Sequence, residues 1–343
     1  MSWTPDETPV ELIDELLWLQ GDLVAAIVYG IILALFAMCF PPLWVSVRNR
    51  ATKSMASMLL FLYVSVTFIL GTTVFATNSR FIQLAFIENR DFPGGPNAYA
   101  EEMFSVPVNI VSNVAFVLAN WCTDSLMLWR CAVVYSDSGI LARLAAVGGA
   151  GLVFLTSAAL SILWLFQVSS PLSSPTRNTA MGVNYTAPFF GVALAVNLVI
   201  TVMIALRLLY QRRRFARLYG PSAQGLPYTS IVAMTVESAS LYSVFSLLFI
   251  IPFAVNSSLQ NATLQFLGEI EIVASLLIIY RVLQGRAWSN ETATEVASIT
   301  WSNDACTRGL EIPNASRGNA IDRHSKATTV RVVVDNRKLG SNV

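Results

Sequence analysis

Seven long apolar runs dominate the chain and leave few ways for it to fold. They cover residues 23–47, 58–77, 107–135, 144–166, 187–210, 228–252 and 262–283. A bilayer core of ~30 Å needs about 20 mostly apolar residues at 1.5 Å rise each, and every run meets that length. The third and seventh are less purely apolar than the rest. A large soluble helical core is the competing reading, but soluble helices keep a polar stripe at 3.6 spacing and most of these runs have none. Composition agrees. The chain is 55% hydrophobic and 13% charged, with mean hydropathy +0.58, against roughly 25% charged residues in a soluble domain. The expected fold is therefore an all-α membrane protein, a seven-transmembrane helix bundle.

Basic residues give the bundle a direction. Links after the first, third and fifth runs, and the stretch closing the seventh, hold Arg48, Arg50, Lys53, Arg143, Arg207, Arg212, Arg213, Arg214, Arg217, Arg281 and Arg286. The opposite links hold Arg80, Arg90 and Arg177. Cytoplasmic loops carry the excess, so the N-terminus is expected outside and the C-terminus in the cytoplasm. Glycosylation sequons at Asn184, Asn256 and Asn261 fall on the links this assigns to the outside. Two more, at Asn290 and Asn314, fall in the cytoplasmic tail and are expected to stay unmodified. Residues 1–20 carry five acids and no basic n-region. That is unlike a cleavable signal, so the first span is expected to serve as the targeting signal.

Three regions follow: an extracellular segment 1–21, a transmembrane domain 22–284, and a mostly disordered cytoplasmic tail 285–343 with twelve Ser and Thr. Outer loop 78–106 contains Pro93-Gly94-Gly95-Pro96, a tight-turn signal. No internal repeat is evident, which weighs against a transporter built from inverted halves.

Charged and polar residues at bilayer depth cost free energy and need a reason. In the third run Asn109, Asn113, Asn120 and Asp124 fall within about 60° of one another on a helix, so they form one face turned to the bundle interior or a wet cavity. Arg130 is about 120° around from Asp124 and ~9 Å further along the axis. It is expected to pair with Glu237 or Asp124 across the third and sixth helices and hold the cytoplasmic half closed. Thr235, Ser238, Tyr242 and Ser246 give the sixth helix its own stripe. The seventh adds Glu269 and Glu271, two apart, of which at most one is expected to face the bundle centre. Four acids against one arginine suit a cationic ligand or protons. The expected cavity residues are Asn113, Asn120, Asp124, Glu237, Tyr242 and Glu269.

Several chemistries are excluded. His324, the one histidine, lies in the tail, so a histidine-held metal or a Ser-His pair in the bundle is ruled out. Lys53, Lys326 and Lys338 lie outside the runs, which removes a retinal Schiff base. No catalytic residue, metal or cofactor is expected. The net charge of +1 argues against a nucleic-acid partner. Cys39, Cys122 and Cys131 in apolar runs and Cys306 in the tail are expected as free thiols. Gly148, Gly149 and Gly151 in the fourth run are expected at close helix–helix packing.

Three motifs resemble those of a large family of basidiomycete fungal seven-span proteins. They are Thr123-Asp124-Ser125-Leu126-Met127-Leu128-Trp129-Arg130-Cys131, then Glu237-Ser238-Ala239-Ser240-Leu241-Tyr242, then Leu277 to Trp288 with Tyr280-Arg281 and Gly285-Arg286. The resemblance covers most of 22–288. Ala132 departs from the aromatic that usually follows the cysteine. The family implies a seven-helix fold, and its members are described only loosely as receptor-like.

The leading functional expectation is a receptor-like protein, similar to G-protein-coupled receptors, sensing an unknown small-molecule ligand from the lipid bilayer of the plasma membrane. The basic inner loop 207–227 is the candidate surface for a heterotrimeric G protein, and the Ser/Thr-rich tail can take phosphate. The sixth run lacks Trp-x-Pro, the seventh lacks Asn-Pro-x-x-Tyr, and no outer-loop cysteine pair exists. The alternative expectation is a proton, cation or small-solute transporter or channel, motivated by the surplus of acids.

Overall fold

The structure, a computed structural model, describes residues 8–49, 55–136, 139–176, 182–219 and 228–308. Within them, the side chains of 211–212, 214–219, 228–236, 238–239 and 285–308 are not described. All regular structure among the described residues is helical. The helices are α1 (Pro9–Arg48), α2 (Met55–Gln83), α3 (Gly95–Glu102), α4 (Pro107–Val134), α5 (Ile140–Ser169), α6 (Thr186–Tyr219), α7 (Tyr228–Ala254) and α8 (Leu259–Arg308), with a π-helical turn Leu84–Glu88 between α2 and α3. The chain divides into two units, Met1–Ser289 and Asn290–Val343.

Among the described residues, five helices are long and apolar enough to cross a membrane: Pro9–Arg48, Met55–Glu88, Pro107–Val134, Ile140–Ser169 and the Thr186–Tyr210 part of α6. In α7 the shorter stretch Ser240–Ala254 is also apolar. Their outer faces carry Ile27, Leu152, Leu155, Val202 and Leu206, all well exposed. Lipid tails suit such a surface, whereas water would leave a large apolar area unsolvated. This is the make-up of a multi-pass membrane protein.

Local signals explain where the helices begin and stop. Thr8 caps α1: its Oγ1 accepts from the Glu11 amide at 3.4 Å, and the Glu11 carboxylate accepts from the Thr8 backbone amide at 2.7 Å. Pro9, Pro96 and Pro107 sit in the first turns of α1, α3 and α4, where a missing N–H costs nothing. Gly94 and Gly95 have φ of 89° and 76°, so the expected tight turn is present. A Cβ on Gly94 would also lie 2.8 Å from that of Ala98. The outer loop expected over 78–106 is therefore largely helical.

Two expectations about the ends change. Residues 9–21 are the first turns of α1, and Trp18 packs there against Phe81 at 5.9 Å and Phe86 at 5.2 Å, beside Tyr99. The tail was expected to be mostly disordered from 285, yet α8 runs to Arg308. Residues 309–343, including Asn314 and His324, lie outside the described residues, as do 220–227 of the basic inner loop.

In α8, nearly every side chain between Ala262 and Ile279 is buried, and 266–276 are buried without a break. Gly21 of α1 closes on its backbone, since a Cβ there would lie 2.8 Å from Ala262 Cα. Asn78 of α2 donates to Gln265 at 2.7 Å. From α4, Phe116 lies so close that a Cβ on Gly268 would sit 2.7 Å from its ring edge. Protein thus surrounds this stretch of α8. Gly148, Gly149 and Gly151 of α5 depart from expectation: nothing lies within 4 Å of where their Cβ atoms would be. Close packing falls at Gly21 and Gly268 instead.

Candidate functional site

One face of α4 builds the site, as its asparagine spacing predicted. Asn109, Asn113, Asn120 and Asp124 are all buried. Over the ~22 Å between the first and last of them they meet two separate cavities.

The larger cavity is a cleft at the end of the bundle that carries α3, enclosing about 1080 Å³ with the open space at its mouth. Asn109, Ser112, Asn113 and Phe116 of α4 line it, opposite Gln260, Leu264, Gln265 and Gly268 of α8. Trp18, Phe81, Phe104, Trp164, Phe249 and Phe253 add aromatic faces. Its walls are apolar with amides set among them, and Glu101 is its one charged side chain. Four polar atoms in those walls are buried without a hydrogen-bond partner: Trp18 Nε1, Asn113 Nδ2, Trp164 Nε1 and Gln260 Oε1. Buried polar groups are normally paired, and each unpaired one costs about 1–3 kcal/mol. These three donors and one acceptor belong to cleft-lining residues, but the atoms themselves are shielded, so a ligand meets them only if the wall shifts.

The smaller cavity lies deeper and spans about 380 Å³ with the open space at its mouth. Thr123, Asp124, Leu126 and Met127 of α4, Asn197 of α6, Tyr242 of α7 and Glu271, Ala274, Ser275 and Ile278 of α8 line it. Asn120 Nδ2 donates to Glu271 Oε1 at 2.9 Å, and the Thr123 hydroxyl donates to the same oxygen. Asp124 Oδ2 has no partner. Among the described residues the ion pairs are Arg80–Glu88 and Arg281–Glu237, so neither Asp124 nor Glu271 faces a cationic side chain in one.

An aromatic cluster stands between the two cavities. Phe116, Trp164, Phe189, Phe190 and Phe249 pack with neighbouring centroids 4.6–5.9 Å apart, close enough for tilted and edge contacts. Trp164 and Phe249 form part of the cleft wall, while Tyr242 and Ala274 of the same cluster form part of the inner wall.

Of the expected cavity residues, Asn113 reaches the cleft, Asp124 and Tyr242 reach the inner cavity, and Asn120 supports Glu271 beside it. Glu237 does not join them. It lies about 140° around α7 from Tyr242, its carboxylate is 60% exposed, and it pairs with Arg281 of α8 at 2.5 Å. The expected Arg130–Glu237 or Arg130–Asp124 pair is absent among the described residues, and Arg130 Nη1 has no partner. Thr235 and Ser238 of the same stripe lie outside the described side chains. Glu269 is buried but lines neither cavity; it interacts electrostatically with Asp22 of α1, itself held by Ser79 at 3.4 Å. Both Glu269 and Glu271 are buried because protein surrounds this part of α8, and only Glu271 reaches the inner cavity. The acid pair Asp124 and Glu271 across α4 and α8 was not read from the sequence, since which of two acids meets Asp124 depends on the rotation of α8.

Two of the three sequons expected outside are engaged. Asn184 donates to the carbonyls of Pro175 at 2.9 Å and Thr176 at 3.1 Å, and accepts from the Thr186 amide at 2.9 Å. Asn261 lines the cleft. Asn256 sits exposed at φ 51° in the turn between α7 and α8. Cys39, Cys122 and Cys131 are free thiols. Comparison with protein-family models, curated proteins and solved structures gave no match.

Proposed function

We propose that the protein is a receptor-like seven-helix membrane protein, N-terminus outside, which binds a small uncharged organic ligand in the cleft at the α3 end. Membership in the basidiomycete seven-span family and a place in the plasma membrane are parts of the same reading. The observation that carries it is the cleft wall: aromatic faces with the amides Asn78, Asn97, Asn109, Asn113, Gln260 and Gln265 set among them. Such walls take flat or ring-shaped molecules with a few hydrogen-bonding groups, and a single carboxylate supplies little for a strongly charged one. The aromatic cluster supports coupling. A ligand pressing on Trp164 or Phe249 acts on the packing that also walls the inner cavity, which gives a route from one end of the bundle towards the other. The basic inner loop 207–227 is the proposed surface for a heterotrimeric G protein. Asn256 is the glycan acceptor that this orientation favours.

A second reading, a cation or proton transporter, is favoured by the acid-lined inner cavity on the same two helices. The packed aromatic cluster between the cavities weighs against an open path.

The test is a thermal-shift screen of neutral, ring-containing compounds against the full chain, followed by Gα recruitment. Compounds that stabilise the wild type are expected to lose at least tenfold in apparent affinity on Ser112→Phe, which fills the cleft, and to change Gα recruitment. Saturable ion or solute flux in reconstituted vesicles, with no Gα recruited by any active compound, reverses the ranking.

A further inference from the structure

The inner cavity presents oxygen atoms and leaves their charge unanswered. Asp124 and Glu271 contribute two carboxylates from facing helices, and Thr123, Ser275 and Tyr242 contribute hydroxyls. Asp124 is only 5% exposed, lines the cavity, and has Oδ2 unpaired. Asn120 is 2% exposed; its Nδ2 is spent on Glu271, while its Oδ1 has no partner. Both donors that reach Glu271 go to one oxygen, Oε1. No histidine or cysteine lines the cavity.

We propose that this cavity is a binding site for a sodium-sized monovalent cation, held between Asp124 of α4 and Glu271 of α8.

Oxygen ligands select hard cations. Carboxylates buried without a counter-charge are costly, and a bound cation relieves both at once. The charge of the ion follows from depth and size. The energy of burying an ion rises with the square of its charge, and magnesium sheds its waters reluctantly. The free space of the cavity is about 30 Å³, room for roughly two water-sized spheres, so it holds a monovalent ion with a water more readily than a divalent one with its shell. Carboxylate oxygens are strong-field ligands and favour the smaller alkali ion. Bound there, the ion ties α4 to α8 at the level of the aromatic cluster. The site stands whether the cleft above it serves reception or transport.

Melting of the purified full chain tests it, in sodium, potassium, calcium or choline chloride at matched ionic strength. The wild type is expected to melt several degrees higher in sodium than in choline, with potassium weaker and calcium no better than its ionic strength explains. Asp124→Asn is expected to abolish the difference. Ser275→Ala, a milder change, is expected to raise the sodium concentration for half the shift by about threefold or more. If Asp124→Asn does not fold, the wild type and Ser275→Ala decide. Equal melting in sodium and choline overturns the proposal. So does stabilisation by calcium alone, or a sodium shift that Asp124→Asn and Ser275→Ala both leave intact.

Discussion

Glu237 shows how far a single residue can be placed from spacing alone. Its depth on the sixth run suited an interior role, but five positions separate it from Tyr242, and that turns it to the opposite side of α7. With Tyr242 buried, Glu237 meets Arg281 instead. Both partners are partly exposed, and pairs of this kind contribute only about 0.2–1 kcal/mol. A double-mutant cycle between Glu237→Ala and Arg281→Ala should therefore give a coupling within that range. The cycle between Glu237→Ala and Arg130→Ala should be additive, because the two residues share no contact. Thermal melting of the three single and two double variants checks both. Coupling in the second cycle that matches or exceeds the first would restore the α4–α7 lock.

At the scale of the helix, α4 was legible and α8 was not. Asn109, Asn113, Asn120 and Asp124 recur close to helical spacing, so their shared face could be read off a wheel, and all four are buried. The seventh run has no such wheel. Its surface is buried on every side, so periodicity carried no information about which acid faces which helix. The glycines were misread for a related reason. Three together in α5 look like a packing motif, but a close approach needs a partner at the same height, which a single sequence does not show. Gly268 has one in Phe116. Gly268→Ala is accordingly expected to destabilise the protein by about 1–3 kcal/mol through overpacking and to weaken any cleft ligand, because Phe116 must move. Gly148→Ala and Gly149→Ala, with open space at Cβ, are expected to be neutral or to stabilise by up to about 1 kcal/mol. Melting temperatures of the three variants check this; equal losses at all three would contradict it.

Across the whole molecule, hydropathy and arginine placement say more than any single contact. Apolar side chains cover the outer faces of the long helices, and polar chemistry is drawn inward onto α4 and α8. That distribution was legible in the sequence, because lipid admits few buried charges without partners. The two cavities and the aromatic cluster between them were not, since they arise from residues distant in the chain, such as Trp164, Phe249 and Gly268. The account turns on α8 crossing the bilayer with its start outside. From Leu259 to Gln284 the helix extends ~38 Å, enough for a ~30 Å hydrocarbon core. Labelling with a membrane-impermeant maleimide tests it, using Asn256→Cys and Gln284→Cys separately in a chain carrying Cys306→Ser. The account predicts that position 256 reacts on intact cells and position 284 only after permeabilisation. Labelling of 284 on intact cells, or of both positions from the same side, would contradict it.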